Sequence, residues 1–360
     1  MLPGRRRPTA RPSPQFAAQV ALDEAMLGLM ASSRTPKAAD YPRLGEDVLA
    51  ADRMWTERGW AADPASYHQS PPDLIDGITA GRRSRGVAFE HLTFPSLYAP
   101  HPGEPGEVRW LARTSNRTAH AWVLRHPGPP RPWLICIHGM GMGTPLADLS
   151  TFKPKRLHAD RGLNLLFPVL PVHGPRKAAG ARMPDVPGAD HIDLIHMLAQ
   201  SVWDIRRLVT WIQAQGAPRI GAYGISLGGY VSALLSVYEP AVTSVIAGVP
   251  VSDFERLEHH HATPGQRHRG YQHHLMGEEV QRILRVVSPL AAKPLPAADQ
   301  LAVFGGLGDR IATAKQAEKL WEHWDRPAVC WYPGGHIGFM WSGKVETFVD
   351  SRLDAAGLTS

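Results

Sequence analysis

Ser226 stands in the run Gly224-Ile225-Ser226-Leu227-Gly228-Gly229. A serine hydroxyl becomes a nucleophile only when a base takes its proton. The flanking glycines suit a strained turn, where side chains would crowd the backbone. A short strand-like run, 219–223, precedes the motif, and an apolar helical stretch, 227–238, follows it. The spacing predicts a strand, a sharp turn that presents the hydroxyl, and a helix whose N-terminus favours negative charge nearby.

The base is expected at His336, in Tyr332-Pro333-Gly334-Gly335-His336. That loop follows the last predicted strand, at the edge where parallel sheets place their sites. Such a base needs a carboxylate to fix its tautomer and stabilise the imidazolium. Asp309, in Phe304-Gly305-Gly306-Leu307-Gly308-Asp309-Arg310, is the first candidate, and Asp253, after the strand 242–247, is its rival. A tetrahedral intermediate also needs backbone N–H donors. They are expected from Leu227 and from Met140 or Gly141, in Ile137-His138-Gly139-Met140-Gly141-Met142-Gly143. The glycine spacing there superficially suggests a phosphate loop, but no Lys-Ser/Thr follows. His138, Gly139 and Met142 are expected to touch substrate. Met140, Met142, Met340 and Trp341 either line an apolar acyl pocket or pack in the core. Arg176, beside Lys177 in Pro171-Val172-His173-Gly174-Pro175-Arg176, either meets an anionic substrate group or is surface charge.

Elements must hold these groups in place. Residues 16–30 are Ala- and Leu-rich and predict a helix, and 45–58 a second one. Residues 61–82 are rich in Pro, Asp and Gly and predict a linker. Strand-like runs follow at 87–94, 108–113 and 120–126, which suggests an antiparallel edge. Apolar strands are then expected at 133–137, 164–169, 219–223, 242–247, 301–304 and 328–332. Helices are expected at 193–213, 227–238 and 313–324. Fully apolar strands alternating with helices mean a mostly parallel sheet covered on both faces. Residues 251–290 interrupt this rhythm and carry six histidines: His259, His260, His261, His268, His273 and His274. Three consecutive histidines cannot share one helix face, so no metal site is expected there. A polar, pH-responsive lid is the simpler reading.

Composition narrows the class. The chain has 360 residues, 43% of them hydrophobic and 20% charged, enough for a large core. No run of 18 apolar residues exists, so no membrane-spanning helix is expected. The basic start, 1–14, leads into no apolar h-region, so it reads as a disordered tail rather than a secretory signal. The net charge is +6, but no basic stripe with interleaved aromatics runs through the body. Nucleic acid is therefore not an expected partner. The two cysteines, Cys136 and Cys330, sit in apolar runs and read as buried thiols of a cytoplasmic protein.

From about Gly86 to Leu353 the chain resembles the α/β-hydrolase superfamily. HGMGMG, GISLGG, GLGD and PGGH stand in order after strands of the right kind. The resemblance implies an α/β fold with a mostly parallel eight-stranded sheet and helices on both faces. It implies ester-type hydrolysis with Ser226 as nucleophile, Asp309 as acid and His336 as base, and no cofactor. The PVHGPR run is similar to loops of poorly characterised esterase-like, acetyl-esterase and dienelactone-hydrolase-like members. Residues 1–85 lie outside the resemblance and read as a tail and helical extension. Residues 86–355 form the hydrolase domain, with 251–290 as its lid-like insertion. The expected substrate is a small-molecule or lipid ester. The superfamily also holds peptidases, deacylases, acyltransferases and idle members, so the fold does not name the substrate. The N-terminal helix packs on the hydrolase body, with a lid, a homodimer contact or a membrane-surface helix as the other options.

Overall fold

The computed structural model describes residues 7–181 and 190–359. Two helices come first, α1 (Pro14–Arg34) and α2 (Tyr41–Glu57). The strands are β1 (Ile78–Ser84), β2 (Val87–Pro95), β3 (Thr118–Leu124), β4 (Trp133–Ile137), β5 (Asn164–Pro168), β6 (Ile220–Ile225), β7 (Val242–Gly248), β8 (Leu301–Gly306) and β9 (Ala328–Tyr332). Between and after them lie α3 (Glu107–Leu111), α4 (Pro145–Phe152), α5 (His191–Ala214), α6 (Leu227–Tyr238), α7 (Phe254–His261), α8 (Pro264–Gln272), α9 (Glu278–Leu284), α10 (Thr313–His323) and α11 (Gly343–Ala355).

The strands form one sheet in the order β1-β2-β3-β5-β4-β6-β7-β8-β9. β1 to β3 pair antiparallel, as does β3 with β5, and every pair from β5 to β9 is parallel. The order reverses around β4, so β4 and β6 flank the topological switch point. Open α/β sheets bind ligands outside the carboxyl ends of such strands. Each central strand is buried on both faces and alternates between two clusters. Trp133, Ile135 and Ile137 of β4 face the side of α5, α6 and α10, while Leu134 and Cys136 face the side of α4 and α11.

The sheet has nine strands where eight are expected. The extra one, β1, lies partly in the expected linker. It is exposed and has no apolar alternation, so pairing holds it rather than burial. Arg85 (φ 44°) and Gly86 (φ 84°) close its hairpin with β2 through a two-residue turn with both φ positive. The strand expected at 108–113 is instead the short helix α3. Gly106 at φ 76° starts it, and its buried Trp110 donates from Nε1 to Gln200 Oε1 of α5 at 2.9 Å.

The N-terminal segment shares the main core. Tyr41, Leu44, Val48 and Trp55 of α2 are buried in the same cluster as α5 and α9. The insertion supplies α7, α8 and α9. Arg282 of α9 grips both oxygens of Asp52 on α2, each at 2.8 Å. A Cβ at Gly45 would lie 2.4 Å from the carbonyl oxygen of His273, so glycine lets α2 approach. No helix among the described residues is long and apolar enough to cross a membrane. Cys136 and Cys330 are both buried and free. Residues 1–6 of the expected disordered tail lie outside the described residues.

Candidate active site

The chain turns sharply between β6 and α6. Ser226 has φ 56° and ψ −117°, a conformation that non-glycine residues rarely adopt. Its neighbours explain why this is held. A Cβ at Gly224 would lie 1.9 Å from the carbonyl oxygen of Gly228, and one at Gly228 would lie 1.9 Å from that of Ile137. The Ser226 N–H donates to Gly248 O of β7 at 2.9 Å. The turn is wedged between the ends of β4, β6 and β7, and only glycine fits on either side.

Three distant side chains meet here. His336 Nε2 lies 3.0 Å from Ser226 Oγ, and His336 Nδ1 lies 2.8 Å from Asp309 Oδ2. A carboxylate only accepts, so Nδ1 carries the proton and Nε2 accepts from the hydroxyl. The other oxygen of Asp309 accepts the N–H groups of Ile311 and Ala312, both at 2.9 Å. Asp309 and His336 are each 6% exposed. Burial works against the imidazolium. The charge and hydrogen bond of Asp309, followed by the charge of Asp23, outweigh it and hold His336 above the ordinary 6.5. Asp253, the rival carboxylate, is engaged elsewhere. It caps α7 by accepting the Arg256 N–H at 3.1 Å and pairs with Lys319.

The Gly-rich run after β4 lies beside the turn. A Cβ at Gly139 would sit 3.4 Å from Ser226 Cβ. Leu227 is the first residue of α6, so its N–H has no acceptor inside the helix. Met140 and Met142 are half-buried and pack against the two faces of the sheet. A residue the sequence reading passed over shapes this run. Asp148 of α4 is fully buried, with Oδ1 accepting the Gly143 N–H and Oδ2 accepting Trp122 Nε1–H, each at 3.0 Å. Burial pushes its carboxyl up to about 7. The local signal is only an acid in the first turn of a short helix, which normally reads as dipole complementation.

Two expected substrate contacts are instead internal ties. His138 is fully buried, accepting the Leu170 N–H on Nε2 at 3.1 Å and donating from Nδ1 to Gly139 O at 2.8 Å. Burial drives its pKa down to about 4, so it stays neutral and clamps the loops after β4 and β5 together. Arg176 is also fully buried. It pairs with Asp204 at 2.8 Å and donates to Val169 O and Asn116 O at 3.0 and 2.9 Å. Its charge is spent inside the protein and leaves none for a substrate anion. Trp341, by contrast, is 63% exposed and not core. Among the described residues, no group of three or more His, Cys, Asp or Glu side chains is arranged to hold a metal ion.

Comparison with known proteins agrees with this architecture. No family model matches the chain. Two uncharacterized proteins from strains of Mycobacterium tuberculosis are each 40% identical over 354 residues, covering 98% of this chain and 85% of theirs. Among solved structures, acetyl xylan esterase 1 from Thermoanaerobacterium superposes with a TM-score of 0.57 at 15% identity, covering 84% of this chain and 93% of that one. An acetyl xylan esterase from Paenibacillus superposes with a TM-score of 0.55 at 14% identity, covering 92% and 99%. The nine-stranded sheet with its wedged serine turn at the switch point and these likenesses show that the chain has the α/β-hydrolase fold, and it belongs to one family with the two mycobacterial proteins.

Proposed function

We propose that this protein is a hydrolase that cleaves carboxylic esters through an acyl-enzyme on Ser226. The observation that carries the reading is the unbroken chain from Ser226 Oγ through the His336 ring to Asp309, on a turn strained enough to present the hydroxyl. In this reading His336 takes the hydroxyl proton as Ser226 attacks the acyl carbonyl. The tetrahedral oxygen is held by the N–H groups of Leu227 and of Met140 or Gly141. Asp309 stabilises the imidazolium that forms. The imidazolium then passes its proton to the departing alkoxide, and an activated water repeats the attack on the acyl-enzyme. The residues suffice for this chemistry without a cofactor.

The insertion is part of the proposal. His261 of α7 lies 2.9 Å through Nε2 from Ile311 O, two residues past Asp309. That tie supports a role for 251–290 in covering the acyl side of the site.

Acetyl esters are the first substrates to test, since the structurally similar proteins are named acetyl xylan esterases. The experiment measures hydrolysis of p-nitrophenyl esters from C2 to C16 with wild type and Ser226→Ala. It also measures labelling by a fluorophosphonate probe. A loss on the order of 10³-fold or more in Ser226→Ala, with labelling confined to Ser226, supports the reading. Labelling without hydrolysis at any chain length redirects it to bulky, charged or peptidic acyl groups. Faster transfer to an added alcohol than to water makes it an acyltransferase. Absence of labelling overturns it.

A further inference from the structure

We propose that Asp23, on the N-terminal helix α1, is a positioning residue for His336, tying down its loop and placing a second negative charge at its backbone N–H. The proposal rests on the reading of Ser226, His336 and Asp309 given above.

Asp23 is fully buried, although α1 is otherwise largely exposed. Its Oδ2 accepts the backbone N–H of His336 at 2.8 Å and that of Arg310 at 3.0 Å. One oxygen thus bridges the loop that carries the base and the loop that carries its carboxylate. One turn earlier, Gln19 Oε1 accepts the Gly335 N–H at 3.0 Å. The two loops are also joined directly, as Leu307 and Gly308 donate to Tyr332 O and Gly334 O, both at 2.9 Å.

The glycines of GLGD and PGGH form the seat for this helix. A Cβ at Gly308 would lie 2.6 Å from the ring of Phe16, and one at Gly335 would lie 2.8 Å from Asp23 Oδ2. At Gly334 and Gly338 it would lie 2.3 and 2.2 Å from Gln19 Oε1. At Gly335 the added Cβ would also lie 2.8 Å from the backbone oxygen of Gln19, so the helix backbone itself needs a bare Cα there.

The choice of a carboxylate matters. Oδ1 of Asp23 is buried with no hydrogen-bond partner. A neutral acceptor could serve the same two amides without that desolvation cost. The groups that face Asp23 are Asp309, His336 and the Tyr332 hydroxyl, with Arg310 turned outward to Glu24 at 3.5 Å. Burial, and then the charge of Asp309, raise the Asp23 carboxyl, while the two amides oppose them. In return its charge favours the imidazolium. That cation forms when Ser226 gives up its proton, so the stabilisation appears on the reaction path.

The test compares full-length wild type, Asp23→Asn and Asp23→Ala. It follows kcat and KM on p-nitrophenyl acetate from pH 5 to 9, probe labelling and thermal melting. Asp23→Asn keeps an acceptor and removes the charge. The acid limb of its kcat/KM profile should move down by about 0.3–1 pH unit. Asp23→Ala strands two amides and should lower kcat about tenfold or more with KM little changed. If Asp23→Asn does not fold, Asp23→Ser offers an uncharged acceptor and the same readout. An unmoved acid limb in a folded, uncharged variant that still labels at Ser226 overturns the proposal and leaves the triad reading standing. Wild type that does not label overturns both.

Discussion

Asp148 Oδ1 accepts the N–H of Gly143 at 3.0 Å, which ties the far end of the Gly-rich run to α4. The carboxyl is buried and raised to about 7. Its charged form is therefore the unfavourable one in the folded state. The penalty is absent below the unfolded value of 3.8, grows as pH rises towards 7 and is constant above it. Asp148→Asn removes the ionisation but turns one carboxylate contact into an amide. The variant should be less stable than wild type at pH 5, and the gap should narrow or reverse at pH 8. Urea midpoints at the two pH values check this, and a gap that widens with pH contradicts it.

His336 titrates above the ordinary 6.5 because Asp309 and Asp23 outweigh its burial. In the proposed mechanism the base must be neutral to accept the Ser226 proton, so activity should fall with acid through a midpoint above 6.5. Asp309→Asn removes the largest favourable influence on the imidazolium and frees the ring to change tautomer. Turnover should drop on the order of 10³–10⁴-fold, and the residual acid limb should move to lower pH. A pH–rate profile of the two proteins on one short ester measures both effects. A profile that is flat from pH 5 to 8 in wild type removes His336 as the base.

Much of this site is legible in the chain because its signals are local. GISLGG shows itself because a strained turn needs adjacent glycines, and strands such as Trp133–Ile137 show themselves because both faces are covered. β1 is hidden because an exposed strand held by pairing needs no apolar pattern. Val108 and Trp110 alternate like a strand, yet Val108 is 82% exposed and only Trp110 is anchored. Asp23 is hidden most deeply, since its partner His336 lies 313 residues away. Arg176 misled because a charged residue near a site motif looks the same whether its partner is a substrate or an Asp204 that only the fold supplies.

The buried Arg176–Asp204 pair carries stability and not recognition. Burial raises the Asp204 carboxyl, and Arg176 opposes this more strongly than any other neighbour. Arg176→Met would leave the buried Asp204 only the Ser96 hydroxyl, at 2.6 Å, and the charge of Arg207 to offset its desolvation, at a cost of up to about 3–5 kcal/mol. Arg176→Lys cannot reproduce the fork that reaches Asp204, Val169 O and Asn116 O together, and should also lose stability. Denaturation midpoints test this. A variant of unchanged midpoint with a KM raised only for anionic esters would restore the substrate role.

Glycine itself offers the sharpest contrast. Gly28 of α1 has nothing within 4 Å of an added Cβ, whereas at Gly228 that atom would meet the Ile137 carbonyl oxygen at 1.9 Å. Gly28→Ala removes backbone entropy from the unfolded chain and should stabilise by about 0.5–1 kcal/mol with activity unchanged. Gly228→Ala must push β4 away from the turn, and backbone cannot rotate aside as a side chain can. It should destabilise by more than the roughly 1–3 kcal/mol of ordinary overpacking. Because the displaced strand carries the Gly-rich run, any folded fraction should also label slowly at Ser226. Melting curves and labelling rates for the two variants separate the effects. A Gly228→Ala protein that melts and labels like wild type would mean that the turn is not wedged against β4.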